Sequence, residues 1–212
     1  SMPGMMDTVL NVGLTTKTVE GLAERTRNDR FAQDSYRRFV SMFGSIVMGV
    51  PREHFEAILK HKKTEVGVAH ETHLDARHLR ELVASFKALI KEETKKDFPD
   101  DPLDQLGLAI NAVFSSWFGA RAITYRRLYG IPDSWGTAVN VVAMVFGNMC
   151  ETSGTGVAFT RSPSSGDHAF FGECLMNAQG EDVVAGIRTP LPVTELAKKV
   201  PEAYKELGHT YK

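Results

Sequence analysis

Little in this sequence points to thiol chemistry, to a membrane or to a polyanionic partner. Cysteine occurs twice, at Cys150 and Cys174, far apart and outside any paired-thiol motif, which fits two unpaired, packed thiols in a reducing compartment, with a disulfide as the alternative. No apolar run approaches the length of a bilayer span, and the N-terminus lacks the basic-then-apolar order of a secretion signal. Neither sign of charge dominates: the formal net charge is -1, so there is no electrostatic reason to expect nucleic acid or an anionic membrane as a partner. A P-loop, a dinucleotide fingerprint and a Gly-x-Ser-x-Gly elbow are all missing. So are internal repeats and low-complexity segments.

What remains is ordinary globular material. With 42% hydrophobic residues among 212, the chain can bury one substantial core or two small ones. From Asn28 to about Gly130 the period is helical. Tyr36, Phe39, Val40, Phe43 and Val47 fall at three- and four-residue steps, and so do Leu79, Leu82, Val83, Phe86 and Ile90 behind Asp75 as a cap. Pro51 starts a short helix bearing Phe55, Ile58 and Leu59. Asp101-Pro102 reads as an N-cap with proline at the first helical position. The helix it opens is predicted to turn Leu106, Ile110, Val113, Phe114 and Trp117 inward and to run on to basic last turns (Arg121, Arg126, Arg127) before Gly130. The polar stretch from His61 to Asp75 reads as a loop.

After Ser134 the pattern changes. Ala138–Phe146, Gly156–Thr160, Ala169–Met176 and Val183–Gly186 read as strands, separated by Gly- and Ser-rich turns. Such connections favour a mostly antiparallel sheet. Helix returns after Pro192, with Pro201 in a first turn and Gly208 a stop. The predicted class is α+β, a helical subdomain followed by a mostly antiparallel sheet with helices.

Each motif with chemical content has a plain alternative. His70-Glu71-Thr72-His73, with Asp75 and His78, carries metal-ligand residue types but few apolar anchors, and a solvated loop competes with a metal. In Ser1–Asn11, Gly4 would let backbone N–H groups approach an anion and Thr8 adds a hydroxyl; an ordinary turn is the alternative. Ala143-Met144-Val145-Phe146 offers an apolar strand end for an adenine face, as many buried strands do. Glu173 lies within an apolar strand and either faces solvent by alternation or holds Mg²⁺ and phosphate. Arg161 and Arg188 each fit a phosphate contact or a structural salt bridge.

Taken together, SMPGMMDTVLN (1–11), AVNVVAMVFGN (138–148), TSGTGVAFTRSP (152–163) and GECLMNAQGEDVVAGIRTP (172–190) resemble the pyruvate phosphate dikinase family, in order and across essentially the whole chain. The resemblance implies a partial ATP-grasp nucleotide domain, with 1–14 a segment for the ATP phosphates, 15–133 a helical subdomain and 134–212 part of the α+β subdomain. It implies ATP as substrate and Mg²⁺ as cofactor. Gly4, Met5, Met6 and Thr8 would cover the phosphates, Met144 and Val145 would line adenine, Glu173 would lie near metal and triphosphate, and Arg161 and Arg188 are further candidates. At Val142 the sequence departs from the family, which often has Gln there, so a side-chain contact to the nucleotide is in doubt.

The same resemblance implies that the glycine-rich segment with its lysine and a phosphate-binding arginine precede Ser1, and that a metal-binding carboxylate follows Lys212. No Thr-His-Ala-like phosphohistidine motif occurs among the seven histidines. The chain then reads as an internal piece of a longer, homodimeric intracellular enzyme of the cytoplasm, plastid or glycosome. Its partners would be that enzyme's phosphohistidine domain and pyruvate barrel, and it would be inactive by itself. Alternatives are a phosphoenolpyruvate synthase-type dikinase and, from another class, a helical protein-interaction module.

Overall fold

The computed structural model describes residues 4–184 and 189–211. It divides into two compact units with the boundary between Met144 and Val145. Among the described residues the first unit carries only helices and the second carries the whole sheet, so the chain is α+β with the helical part first. No single described helix is long and apolar enough to cross a membrane.

The first unit consists of α1 (Thr16–Thr26), α2 (Asp29–Ile46), α3 (Arg52–Val66), α4 (Ala76–Thr94), α5 (Pro102–Ser116) and α6 (Ala120–Tyr129). Asn28, Asp75 and Asp101 each turn a side-chain oxygen onto first-turn amides, of Phe31 at 3.1 Å, His78 at 2.9 Å, and Leu103 and Asp104 at 2.8 and 3.0 Å. These donors have no helical carbonyl in reach, so the caps decide where the helices begin. The predicted faces of α2 and α4 share one buried cluster: Tyr36, Phe39, Val40 and Phe43 with Leu79, Leu82, Phe86 and Ile90, joined by Phe55, Leu74 and Phe98. Phe98 stands edge-on to Phe39 and Phe43, with centroids 5.7 and 5.4 Å away. Burial of each such side chain contributes about 1.5–3 kcal/mol, and each edge-on ring pair about 1 kcal/mol more.

Four sequence expectations change in this unit. The helix begun at Pro51 runs on to Val66, beyond the predicted loop start at His61, because Lys62 is held by Glu65 at 2.8 Å and Glu81 at 3.0 Å and the helix ends on Gly67 at φ 76°. The polar stretch after it is anchored by charge as well as by Leu74, which is buried in the core. Arg37 and Arg38 both reach Glu71 Oε1, at 3.2 and 3.1 Å, and Arg30 donates to the carbonyls of Leu74 and Glu71. The helix opened by Asp101 bends by 44° between Ser116 and Ala120 instead of continuing. Its inward residues are Gln105, Ala109, Ser116 and Trp117, while Phe114 is 43% exposed. Helix α1, with Thr15 and Thr18 forming a reciprocal cap, adds to the expected elements.

In the second unit β1 (Gly154–Phe159) pairs antiparallel with β2 (Phe171–Met176), Val157 opposite Glu173 and Phe159 opposite Phe171. Then come α7 (Gly180–Val184), β3 (Leu191–Pro192) antiparallel to β2, α8 (Leu196–Lys199) and α9 (Pro201–Tyr211). Tyr211 of α9 stacks on His168 and lies tilted against Phe170, both of which precede β2. Here too the reading changes. Ala138–Phe146 has strand composition but joins no ladder among the described residues, so its β-branched side chains have no sheet to lie in. Val183 and Val184 end a short helix instead of beginning a strand, and residues 185–186 lie outside the described set. Gly208 sits inside α9, whose hydrogen bonds tolerate it.

Candidate functional site

The segment from Gly4 to Leu14 holds its shape through other elements. Gly4 adopts φ 71°, a backbone region that side chains resist, and opens a turn that leaves Gly4 and Thr8 exposed and Met5 and Met6 half-buried. Three ties fix the chain beyond this turn. The Asp7 amide donates to Ser116 Oγ at 3.1 Å, the Gly13 amide donates to Gln105 Oε1 at 2.9 Å, and Asn11 Nδ2 donates to the Ser35 carbonyl at 3.4 Å. At the first tie, Asp7 and Ser116 border a cavity of about 400 Å³ lined in part by Val47, Leu108 and Ser115. Arg121 faces Asp7 at 3.6 Å. A loop so held can present its amides and the Thr8 hydroxyl to an anion without first having to become ordered.

Met6 Sδ receives the Thr137 hydroxyl at 3.5 Å, so this loop touches the start of the segment that leads to Met144. From Ala138 to Phe146 that segment has no assigned strand among the described residues. Val141, Val142 and Val145 are 66%, 82% and 86% exposed, and Met144 is half-buried. An apolar segment with amides and carbonyls outside any ladder suits the face and edge of an adenine ring. Gly4, Met5, Met6, Thr8 and Met144 thus share the first unit, and Val145 opens the second.

Within the second unit Glu173 is exposed at the middle of β2, opposite Val157 and Pro192, on a face that also carries the half-exposed Phe159 and Phe171. Its strand neighbour Cys174 points inward, as alternation requires. Arg161 is exposed and gives its Nη1 to the Gly166 carbonyl at 3.1 Å, across the β1–β2 connection. Arg188 lies outside the described residues. Among the described residues no three His, Cys, Asp or Glu side chains converge as metal ligands. The His70 and His73 rings stand 6.0 Å apart, while Glu71 is taken up by Arg37 and Arg38.

Three features of the described structure lie beyond the sequence reading. Gln105 is fully buried and also donates to the carbonyls of Leu14 and Pro99 at 3.0 and 2.8 Å; a lone amide beside an apolar helical stripe is its only signal. Ser116 is the second. The third corrects the expectation of two packed thiols: Cys174 is buried, but Cys150 is exposed, and its thiol is drawn down to about 7 by the hydroxyls of Ser153 and Thr152, each 3.2 Å away.

Comparison with known proteins gives this geometry its context. The family model described as pyruvate phosphate dikinase, AMP/ATP-binding domain, matches residues 1–209. A pyruvate, phosphate dikinase of Clostridium symbiosum is 58% identical over 207 residues, covering 97% of this chain and 24% of the relative. That of Rhizobium meliloti is 53% identical over 218 residues, with 97% and 24% covered. A chloroplastic pyruvate, phosphate dikinase of Arabidopsis thaliana is 54% identical over 207 residues, with 98% and 21% covered. The chain therefore spans about a quarter of the length of the relatives it matches. On the family match through residue 209, this chain belongs to the pyruvate phosphate dikinase family, within its AMP/ATP-binding domain.

Proposed function

We propose that this chain supplies the middle share of the ATP site of a pyruvate phosphate dikinase, which interconverts ATP, phosphate and pyruvate with AMP, pyrophosphate and phosphoenolpyruvate through a phosphohistidine. The observation that carries the reading is the tethered Gly4–Thr8 loop, within a sequence matched to an AMP/ATP-binding domain over residues 1–209. Gly4, Met5, Met6 and Thr8 cover the phosphates, and Met144 and Val145 flank adenine. Glu173 lies near the triphosphate, and Arg161 and Arg188 are further candidates for a phosphate contact. The partners are the phosphohistidine domain and pyruvate barrel of the same enzyme, in a homodimer, inside the cell.

A bound Mg²⁺ would supply charge neutralisation on the phosphates. The described residues do not fit a resident ion on their own: Glu173 belongs to no group of three or more ligand-type side chains among them, and Mg²⁺ takes six ligands in near-octahedral array. Glu173 is at most one contributor, and no step is assigned through the metal. Phosphoryl transfer rests on positioned cations around the transferring group. Arg121 is turned to Asp7 and Arg161 to a carbonyl of its own hairpin. The chain alone is accordingly expected to bind ATP weakly and to transfer nothing. Titration calorimetry with ATP and Mg²⁺ tests this: the expected Kd is about millimolar, and micromolar binding overturns the division of the site.

A further inference from the structure

Helix α5 touches the Gly4–Leu14 segment at two places that lie in opposite order along the two chains. Gln105 near the start of α5 bonds Gly13 and Leu14, and Ser116 at its end bonds Asp7. Helical geometry sets these side chains about three turns apart, on one face and about 16 Å from each other along the axis. The chain from Asp7 to Gly13 reaches about 20 Å when extended. The loop therefore runs antiparallel along α5 with little slack between the ties.

Both ties use groups that have no freedom to drift. Gln105 is fully buried and spends its amide on three backbone partners, with the Pro99 carbonyl the third. Ser116 is 9% exposed and donates its own proton to the Val113 carbonyl at 2.7 Å, which leaves its lone pairs for the Asp7 amide. Asp7 lies between Met6 and Thr8, so its amide sets the pitch of the stretch assigned to the phosphates.

We infer that Ser116 and Gln105 are positioning residues for the nucleotide loop: α5 is a rail that fixes the register of Gly4–Thr8 before ATP arrives. The inference rests on reading that loop as the phosphate contact. Neither residue touches the nucleotide. Each acts through backbone amides.

The test is an amide-resolved NMR titration of the 212-residue chain with ATP, comparing wild type with Ser116→Ala and Ser116→Thr. In the wild type ATP is expected to shift the amides of residues 4–8. Ser116→Ala should weaken ATP binding by about three- to tenfold, the loss of one hydrogen bond, with the α2 and α4 core signals unmoved. Ser116→Thr, which keeps the hydroxyl, should restore it. Equal affinities for wild type and Ser116→Ala overturn the positioning role and leave the phosphate reading intact. An ATP titration that moves other residues but not 4–8 overturns the phosphate reading, and the rail with it. A check that needs no variant is hydrogen exchange in the wild type: the Asp7 amide should be protected and the Thr8 amide not, and an unprotected Asp7 amide also overturns the inference.

Discussion

Arg126 stands over Trp117, its guanidinium carbon 4.0 Å from the indole centroid, and donates through Nη1 to the Trp117 carbonyl at 2.6 Å. Its Nε reaches Asp133 Oδ1, also at 2.6 Å. One side chain, 2% exposed, thus joins the end of α5, helix α6 and the turn at Asp133–Trp135.

Arg126→Lys keeps the charge but loses the planar fork and the stacking. It should lower stability by about 1–3 kcal/mol, read as a drop in the urea midpoint by circular dichroism. An unchanged midpoint would mean that the corner after α5 is held by other contacts.

Gly44 lies where α2 passes α3 and α4. A Cβ there would meet Phe55 Cζ at 2.6 Å and Ile90 Cδ1 at 2.9 Å, both inside the core. Although alanine favours helix, Gly44→Ala should destabilise by about 1–3 kcal/mol, because the packed rings must shift. A rise in melting temperature would show that the core yields more easily than its packing implies.

Burial alone would push the Asp34 carboxyl up, but the guanidinium groups of Arg37 and Arg38, the hydrogen bond from Arg37 and the charge of Arg30 outweigh it. The net effect lowers the carboxyl from 3.8 to about 2. With the folded value below the unfolded one, this stabilisation is complete above about pH 4 and is lost as pH falls towards 2. It amounts to about 2 kcal/mol. The stability difference between wild type and Asp34→Asn should therefore shrink over that interval in denaturant titrations. A difference independent of pH would refute the assignment.

The two cysteines should separate cleanly by reactivity. Cys150 is exposed, with its thiol lowered to about 7 by Ser153 and Thr152, whereas burial raises Cys174. Iodoacetamide should modify Cys150 with a rate midpoint near pH 7 and leave Cys174 untouched in the folded chain. Ser153→Ala should move that midpoint upward. Labelling of both thiols at equal rates contradicts this account.

The helical core is legible because periodicity reports burial directly: Phe39, Phe43, Leu82 and Phe86 face the core as their spacing requires. Asp75 and Asp101 announce their helices for an equally local reason. What escapes the sequence is non-local. Whether Val141 and Val142 sit in a sheet depends on a neighbouring strand, and nothing in their own segment reveals one. Phe114 is expected inward as an apolar residue, yet the α5 face that packs is marked by Gln105 and Ser116, whose partners lie about a hundred residues away in sequence. The proposed site is read from motifs, the Gly4–Thr8 and Met144–Val145 segments; the ties that hold the loop have no such motif.

The most direct test of the central claim is photolabelling with 8-azido-ATP. Trypsin releases the segment around Met144 and Val145 as one peptide, Leu128–Arg161. The account predicts label in that peptide, reduced by excess ATP or AMP. Label confined to other peptides, or undiminished by ATP, would contradict it.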